Sequence, residues 1–409
     1  MFDQLFDCWP IAVARHRSGP MLEERLAFLR HLANEGYCRR GLRDHARDLL
    51  AIAHTRGLTR RPRKSLTLAE VKRKMARKRR LIPLAARWLH FMGRLQKQRA
   101  APLSLWAKKI KVFADYMEHE AELLPVTVYS RCWWVRQFFK RLRVEGGSLH
   151  EITPHRIDMA FQKLLAPGAN SRAPGGYSRT TIQGCATALR TFFRFAEARG
   201  WCRKGLAASI RNPRVFSQAS LPLGPSWDDV RRLLAMTEGD KPSNIRARPI
   251  LMLLAIYGLR RGEVCRLRMD DFDWEHEVFR VVSSKTGRVR TYPLVRSVGD
   301  AILRYLREVR PRSPHRELFL SLRPPFRPVC SSLWEMVGKR LRSLHVSLPH
   351  YGPHALRHAC ASRLLAVGLS LKEIGDQLGH MDPDSTRIYA KVDLVALRQV
   401  ADFDMGGVL

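Results

Sequence analysis

Apolar residues recur at steps of three and four through most of the chain, so helices make up nearly all of the predicted elements. Residues 1 to 95 open with this period in "LEERLAFLRHLANEG" and "GLRDHARDLLAIAHTRG". Residues 100 to 210 continue it in "LSLWAKKIKVFADYMEHEAELL", "VTVYSRCWWVRQFFKRLRVEGG", "TPHRIDMAFQKLLA" and "SRTTIQGCATALRTFFRFAEARG". Thr153 ahead of Pro154 marks one helix start, and several of these segments stop at Gly. The stretch 211–225, within "RNPRVFSQASLPLGPS", loses the period and gathers Pro, Gly and Ser, as an interdomain linker does. Beyond it, Ser226 and Asp229 form a capping-box pattern ahead of "WDDVRRLLAMT".

The next segment, "RPILMLLAIYG", is apolar all round and reads as a buried central helix, with Pro249 near its first turn and Gly258 as its stop. A change of pattern follows. "VFRVVSSKTGRVRTYPLV" places β-branched and aromatic runs on both sides of Thr286-Gly287, a hairpin signature. Helical period then resumes from "SVGDAILRYLREVR" to residue 409. The expected fold is mainly α with one small antiparallel β-sheet. Its expected domains are a helical N-terminal region (1–95), a second helical domain (100–210), a linker (211–225) and a last domain carrying a C-terminal tail (226–409). A faint echo between residues 36–52 and "GYSRTTIQGCATALRTFF" is too weak to count as a repeat.

Charge changes the picture. Lys and Arg number 73 against 37 Asp and Glu, a net +36 over 409 residues. Such an excess repels itself unless a polyanion is the usual partner, and nucleic acid is the leading candidate. The run "RGLTRRPRKSLTLAEVKRKMARKRRLIP" has two readings, a solvated or disordered surface or a segment that tracks phosphates. No apolar run reaches the roughly 20 residues needed to span a bilayer. The first twenty residues lack the pattern of a signal peptide. The eight cysteines are scattered with no C-x-x-C pair, which fits reduced thiols and a cytoplasmic location rather than a zinc ribbon or a disulfide framework.

Four features after the linker carry candidate chemistry: Arg260 in "GLRRGEV", Lys285 on the hairpin, His354 and Arg357 in "HALRH", and His380 with Tyr389 in "LGHMDPDSTRIYAKV". Each alone has a plain structural reading, as a helix-end cation, a solvated hairpin lysine or a core aromatic. A zinc site from His354, His358 and His380 has ligand-like i, i+4 spacing, but no Glu lies between the first two, and Arg357 shares the face of His354. As a set they fit metal-free attack on a phosphodiester. Guanidiniums clamp the non-bridging oxygens, a tyrosine near cations becomes a nucleophile, and a lysine protonates the departing 5′-oxygen.

In order and spacing, "GLRRGEVCRL", "SSKTGRVR", "HALRH", "LGH" and "TRIY" resemble the motifs of the tyrosine recombinase (phage integrase) family, strongly over 226–400 and weakly over 100–210. The resemblance implies a helical core-binding domain followed by a tyrosine-recombinase catalytic domain, with residues 1–95 outside it. It also implies that Tyr389 attacks the scissile phosphate to form a 3′-phosphotyrosyl link and that Arg260 and Arg357 hold the phosphate. Lys285 then protonates the leaving group, His354 assists proton transfer from the tyrosine, and His380 bonds a phosphate oxygen. Glu263 organises Arg260. Neither metal nor cofactor is implied. Ala355, Ala390 and Lys391 depart from common family residues without touching a core role. The implied partner is double-stranded DNA, synapsed by a homotetramer to which partner recombinases can contribute. The tail "KVDLVALRQVADFDMGGVL" is a candidate for docking on a neighbouring subunit or on its own domain. The additional N-terminal region favours an integrase or transposase of a mobile element. The alternatives are a dimer-resolving recombinase, a type IB topoisomerase and a non-catalytic DNA-binding protein.

Overall fold

The computed structural model describes residues 1–55, 65–96, 105–142, 149–166, 176–211, 213–214, 223–283 and 287–392. The tail 393–409, most of the linker and Lys285 lie outside the described residues. The fold is mainly helical with one three-stranded antiparallel sheet. It divides into two compact units, Met1–Gln96 with Ser220–Leu409, and Lys97–Ala219. Among the described residues no helix is long and apolar enough to cross a membrane.

The N-terminal helices close around Phe28, Leu29, Leu32, Leu49, Ile52 and Trp88, all essentially buried. The basic run folds into this core from residue 65 onward. Thr67 and Glu70 form a capping box that starts the helix Leu68–Lys74. Val71, Met75, Leu81 and Ala85 then turn inward at helical spacing, while Lys72, Arg73, Arg77, Lys78, Arg79 and Arg80 stay exposed. The exposed cations fit either sequence reading, a solvated surface or a segment that tracks phosphates. From residue 65 the run is folded, because its charge density masks a period of apolar residues, and its residues 56–64 lie outside the described residues.

In the unit Lys97–Ala219, helices Leu105–His119, Pro125–Leu142, Pro154–Leu165 and Arg179–Ala198 pack around Phe113, Phe138, Phe192 and Phe193, all fully buried. Their rings meet largely edge to face, the arrangement that ring quadrupoles favour. Thr153 caps its helix by accepting from Arg156 N at 3.3 Å.

Residues 226–392 form the third core. Ser226 and Asp229 make the expected capping box of Trp227–Ala235. The central helix runs Pro242–Ile256, so it begins well before the apolar stretch, and Pro249 sits in its interior rather than near its first turn. Pro242 at the helix start supplies the φ that favours entry. The hydrogen bond that Pro249 forfeits is offset by burial against Arg296–Glu308 and Pro353–Ala366. β1 (Phe272–Asp273), β2 (Val278–Val282) and β3 (Val289–Pro293) lie in sequence order in the sheet. Phe279 pairs with Tyr292 and Val281 with Arg290. Phe279, Val281 and Tyr292 are buried, as the alternation of a one-sided sheet requires. All eight cysteines are free.

Candidate active site

The site begins where the central helix ends. Gly258 has φ +62°, a left-handed turn, and a Cβ there would fall 2.4 Å from Leu378 Cδ2. Glycine therefore serves both the reversal and the close packing of two chain segments 120 residues apart. The turn delivers Arg260 to the N-terminus of the short helix Arg261–Arg266. There Glu263, its side chain fully buried, accepts from Arg260 N at 2.8 Å and from Arg260 Nη1 at 3.1 Å. A buried carboxylate needs such partners.

The helix Leu371–Leu378 ends in a similar reversal at Gly379, φ +65°. Its last carbonyls are held by guanidiniums from three elements. Arg290 on β3 donates to Gln377 O at 3.2 Å, Arg357 on the helix Pro353–Ala366 to Leu378 O at 2.8 Å, and Arg260 to Gly379 O at 2.9 Å. Cations at a helix C-terminus satisfy orphan carbonyls and favour its dipole. Arg357 also donates to Gly258 O at 2.6 Å. It is only 5% exposed. Burial, and then the nearby charge of Arg260, bring its pKa down to about 10, so it stays charged at neutral pH.

His380 follows directly, its Nδ1 2.7 Å from Thr386 Oγ1, so Nε2 is the nitrogen available to a bound oxygen. Burial, then Arg357 and Arg260, hold the ring at a pKa of about 4. Tyr389 sits in the 3₁₀ turn Ile388–Val392, 2% exposed, against Cys360, Ile374 and Leu378. Burial pushes its hydroxyl up to about 12, and Arg357 opposes that rise. Its hydroxyl lies 3.0 Å from His358 Nδ1. His358 is held at about 4 by burial and by neighbouring His354 and Arg357, so at neutral pH the ring is uncharged and its Nδ1 can accept the phenolic proton.

The structure thus gathers Arg260, Arg357, His380 and Tyr389. Arg357 acts electrostatically on His354, His380 and Tyr389 alike. His354 is exposed, and desolvation and the nearby arginines hold its ring below the ordinary value. It lines a cleft of about 700 Å³ with Arg261, Trp334, Arg342, His350 and His358. Two residues of the site lie outside the chemistry expected from the sequence, His358, weighed there only as a zinc ligand, and Arg290. The ring that meets Tyr389 is His358, one helical turn beyond His354. Arg290 carried a signal, because strand alternation puts it on the inward face with Tyr292, where a charge needs a reason.

The family model described as the phage integrase family matches residues 226–394. The chain is similar to a putative integrase/recombinase, y4rA, of Sinorhizobium fredii, at 41% identity over 53% of each chain, so it spans about half the length of that relative. It is 34% identical to the tyrosine recombinase XerC of Alcanivorax borkumensis over 72% of this chain and 92% of that one. Among solved structures, XerH bound to a palindromic difH substrate aligns with TM-score 0.56 and 16% identity over 82% of this chain and 94% of that chain. The Tn1549 transposon integrase with circular-intermediate DNA aligns with TM-score 0.53 and 20% identity over 72% and 99%. These two likenesses concern the fold.

Proposed function

Because the chain belongs to the phage integrase family, the tyrosine recombinases, we propose that it cuts and rejoins double-stranded DNA at specific sites in the service of a mobile element. The observation that carries this reading is the convergence of Arg260, Arg357 and His380 on one turn, with the Tyr389 hydroxyl on His358 beside it.

In this reading Tyr389 Oη attacks the scissile phosphorus. The new O–P bond leaves a 3′-phosphotyrosyl link, and the P–O5′ bond breaks. The phenolic proton passes to His358, whose low proton affinity in the resting site rises as negative charge gathers on the phosphate. Lys285 gives its proton to the departing 5′-oxygen. Arg260 and Arg357, each anchored by a carbonyl, turn their remaining N–H groups to the non-bridging oxygens, and His380 adds a hydrogen bond. Preorganised donors of this kind account for much of the rate enhancement in phosphoryl transfer. Rejoining reverses the steps with a 5′-hydroxyl as nucleophile. The ester conserves the bond energy, so no ATP is consumed.

Net charge +36 supports phosphate contacts beyond the site, and the helical unit Lys97–Ala219 is the proposed core-binding domain. The mobile-element role is supported by the integrase/recombinase relative and by the folded helical region ahead of residue 97. Similarity to XerC over 92% of that protein supports a second reading, resolution of chromosome dimers. A homotetramer on synapsed DNA, open to partner recombinases, is the proposed assembly, and the cytoplasm its proposed location.

The test uses nicked suicide duplexes built from the DNA ends flanking the gene, and from a chromosomal dimer-resolution site, without metal or ATP. A denaturant-stable adduct on the flanking ends, absent in Tyr389→Phe, is the expected result. An adduct on the chromosomal site alone favours the second reading. Tight binding without any adduct contradicts the chemistry.

A further inference from the structure

One arginine at the site does not fit the role of phosphate ligand. Both terminal nitrogens of Arg290 are committed to protein groups. Its Nη2 donates to Glu263 Oε1 at 2.8 Å, and its Nη1 to Tyr292 Oη at 2.5 Å and to Gln377 O at 3.2 Å. Tyr292 Oη itself donates to Gln377 O at 2.6 Å. The guanidinium also occupies the space beside Gly379, where a Cβ would stand 2.5 Å from Nη1. Its side chain is 17% exposed.

Glu263 Oε1 is therefore shared between two guanidiniums, Arg260 at 3.1 Å and Arg290 at 2.8 Å. The carboxylate is fully buried and satisfies its charge wherever it can. With Arg290 present, the Arg260 side chain gives it a single contact, at 3.1 Å, and keeps other N–H groups for a ligand. Without Arg290, the one charged partner left to Glu263 is the Arg260 side chain, beside the Arg260 backbone N–H at 2.8 Å, and the Arg260 guanidinium is drawn more closely to Oε1. That shift turns Arg260 away from the phosphate.

We propose that Arg290 is a positioning residue that keeps Arg260 available to the scissile phosphate, by sharing the charge of Glu263 and by fixing the turn that carries His380. This inference rests on the proposed function, since it presumes a phosphate in the clamp.

The experiment measures binding, so it does not depend on chemistry. In a Tyr389→Phe background, affinity is compared for two duplexes of the gene-flanking ends, one with an ordinary phosphate at the scissile position and one with a neutral methylphosphonate. The ratio reports the clamp alone, and a charge-assisted pair predicts a preference of about tenfold for the charged duplex. Arg290→Met is expected to lower this ratio to about threefold, since Arg357 still holds the phosphate, while affinity for the methylphosphonate duplex stays unchanged. Arg290→Lys, which keeps the charge without the fork, is expected to recover part of the lost preference. Thermal unfolding of both variants shows whether they fold, and Arg290→Lys carries the test if Arg290→Met does not. An unchanged ratio in either folded variant overturns the proposal, as does an equal loss on both duplexes. A ratio of one in the parent overturns it too, since there is then no clamp to position. If the ratio behaves as expected but wild type forms no adduct, the positioning role stands and the recombinase chemistry fails.

Discussion

Among the described residues, the buried arginines Arg25 and Arg357 are buried for different ends. Arg25, in the N-terminal helices, is 0% exposed and laces a loop together. It donates to Pro20 O at 2.8 Å, His16 O at 2.8 Å and Gly19 O at 2.9 Å. Arg357, in the catalytic region, also grips two carbonyls, Gly258 O and Leu378 O. Burial is the main reason that both lose proton affinity. The difference lies in what surrounds them. Arg25 has an aromatic floor, Phe2, whose ring centroid is 5.6 Å from its Cζ. Arg357 lies in the field of Arg260, and His354, His358 and His380 all register its charge. A fold gains nothing from crowding cations, so their arrangement suits an anionic ligand. The comparison teaches that a buried arginine says little by itself, and that its neighbours separate structure from chemistry.

The comparison breaks most sharply at the rate. Arg357→Lys keeps a charge but loses the planar fork, and adduct formation is expected to fall by about three orders of magnitude, with the fold kept. Single-turnover trapping alongside a melting curve checks both halves. Arg25→Met should do the reverse. It strands three carbonyls in a folded loop and is expected to cost about 3 kcal/mol of stability, measured by denaturant titration. Cleavage per folded molecule should not change. A rate loss in Arg25→Met without a stability loss would erase the distinction.

Acid sharpens it further. His16, His358 and His380 are each held at about 4, against 6.5 in an unfolded chain. The unfolded chain thus binds protons first as pH falls below about 6.5. Stability is expected to be complete above that value and to decline as pH drops toward 4. His16→Leu should flatten part of this decline without altering cleavage, whereas His380→Gln should flatten it and slow cleavage as well. Melting temperature against pH for the three proteins is the check. The smallest effect expected is at Ser226, whose cap on Trp227–Ala235 touches neither arginine. Ser226→Ala should cost about 1 kcal/mol of stability with no change in rate.

Much of this was legible in the residues. Helical period located the helices of 105–198, and the cap at Ser226 and the antiparallel pair Val278–Val282 and Val289–Pro293 follow from local chemistry alone. The motif residues Arg260, Arg357, His380 and Tyr389 stand out because their order along the chain is a pattern in itself. What stayed hidden depends on packing. Nothing local tells that His358, rather than His354, reaches a tyrosine 31 residues away. Arg290 reads as one more basic residue until Glu263, from another element, is found beside it. The extent of the central helix was obscured by the polar "SNIRA" between Pro242 and Pro249, which joins the helix through tertiary contacts.

The most direct measurement is the identity of the residue that carries the DNA. Trypsin cuts after Arg387 and Lys391, so digestion of a trapped adduct releases the four-residue peptide Ile388–Lys391. Mass spectrometry of that peptide after nuclease trimming is predicted to show a nucleotide esterified to Tyr389. The nucleotide on any other residue, or an unmodified Ile388–Lys391 peptide from a genuine adduct, contradicts the account.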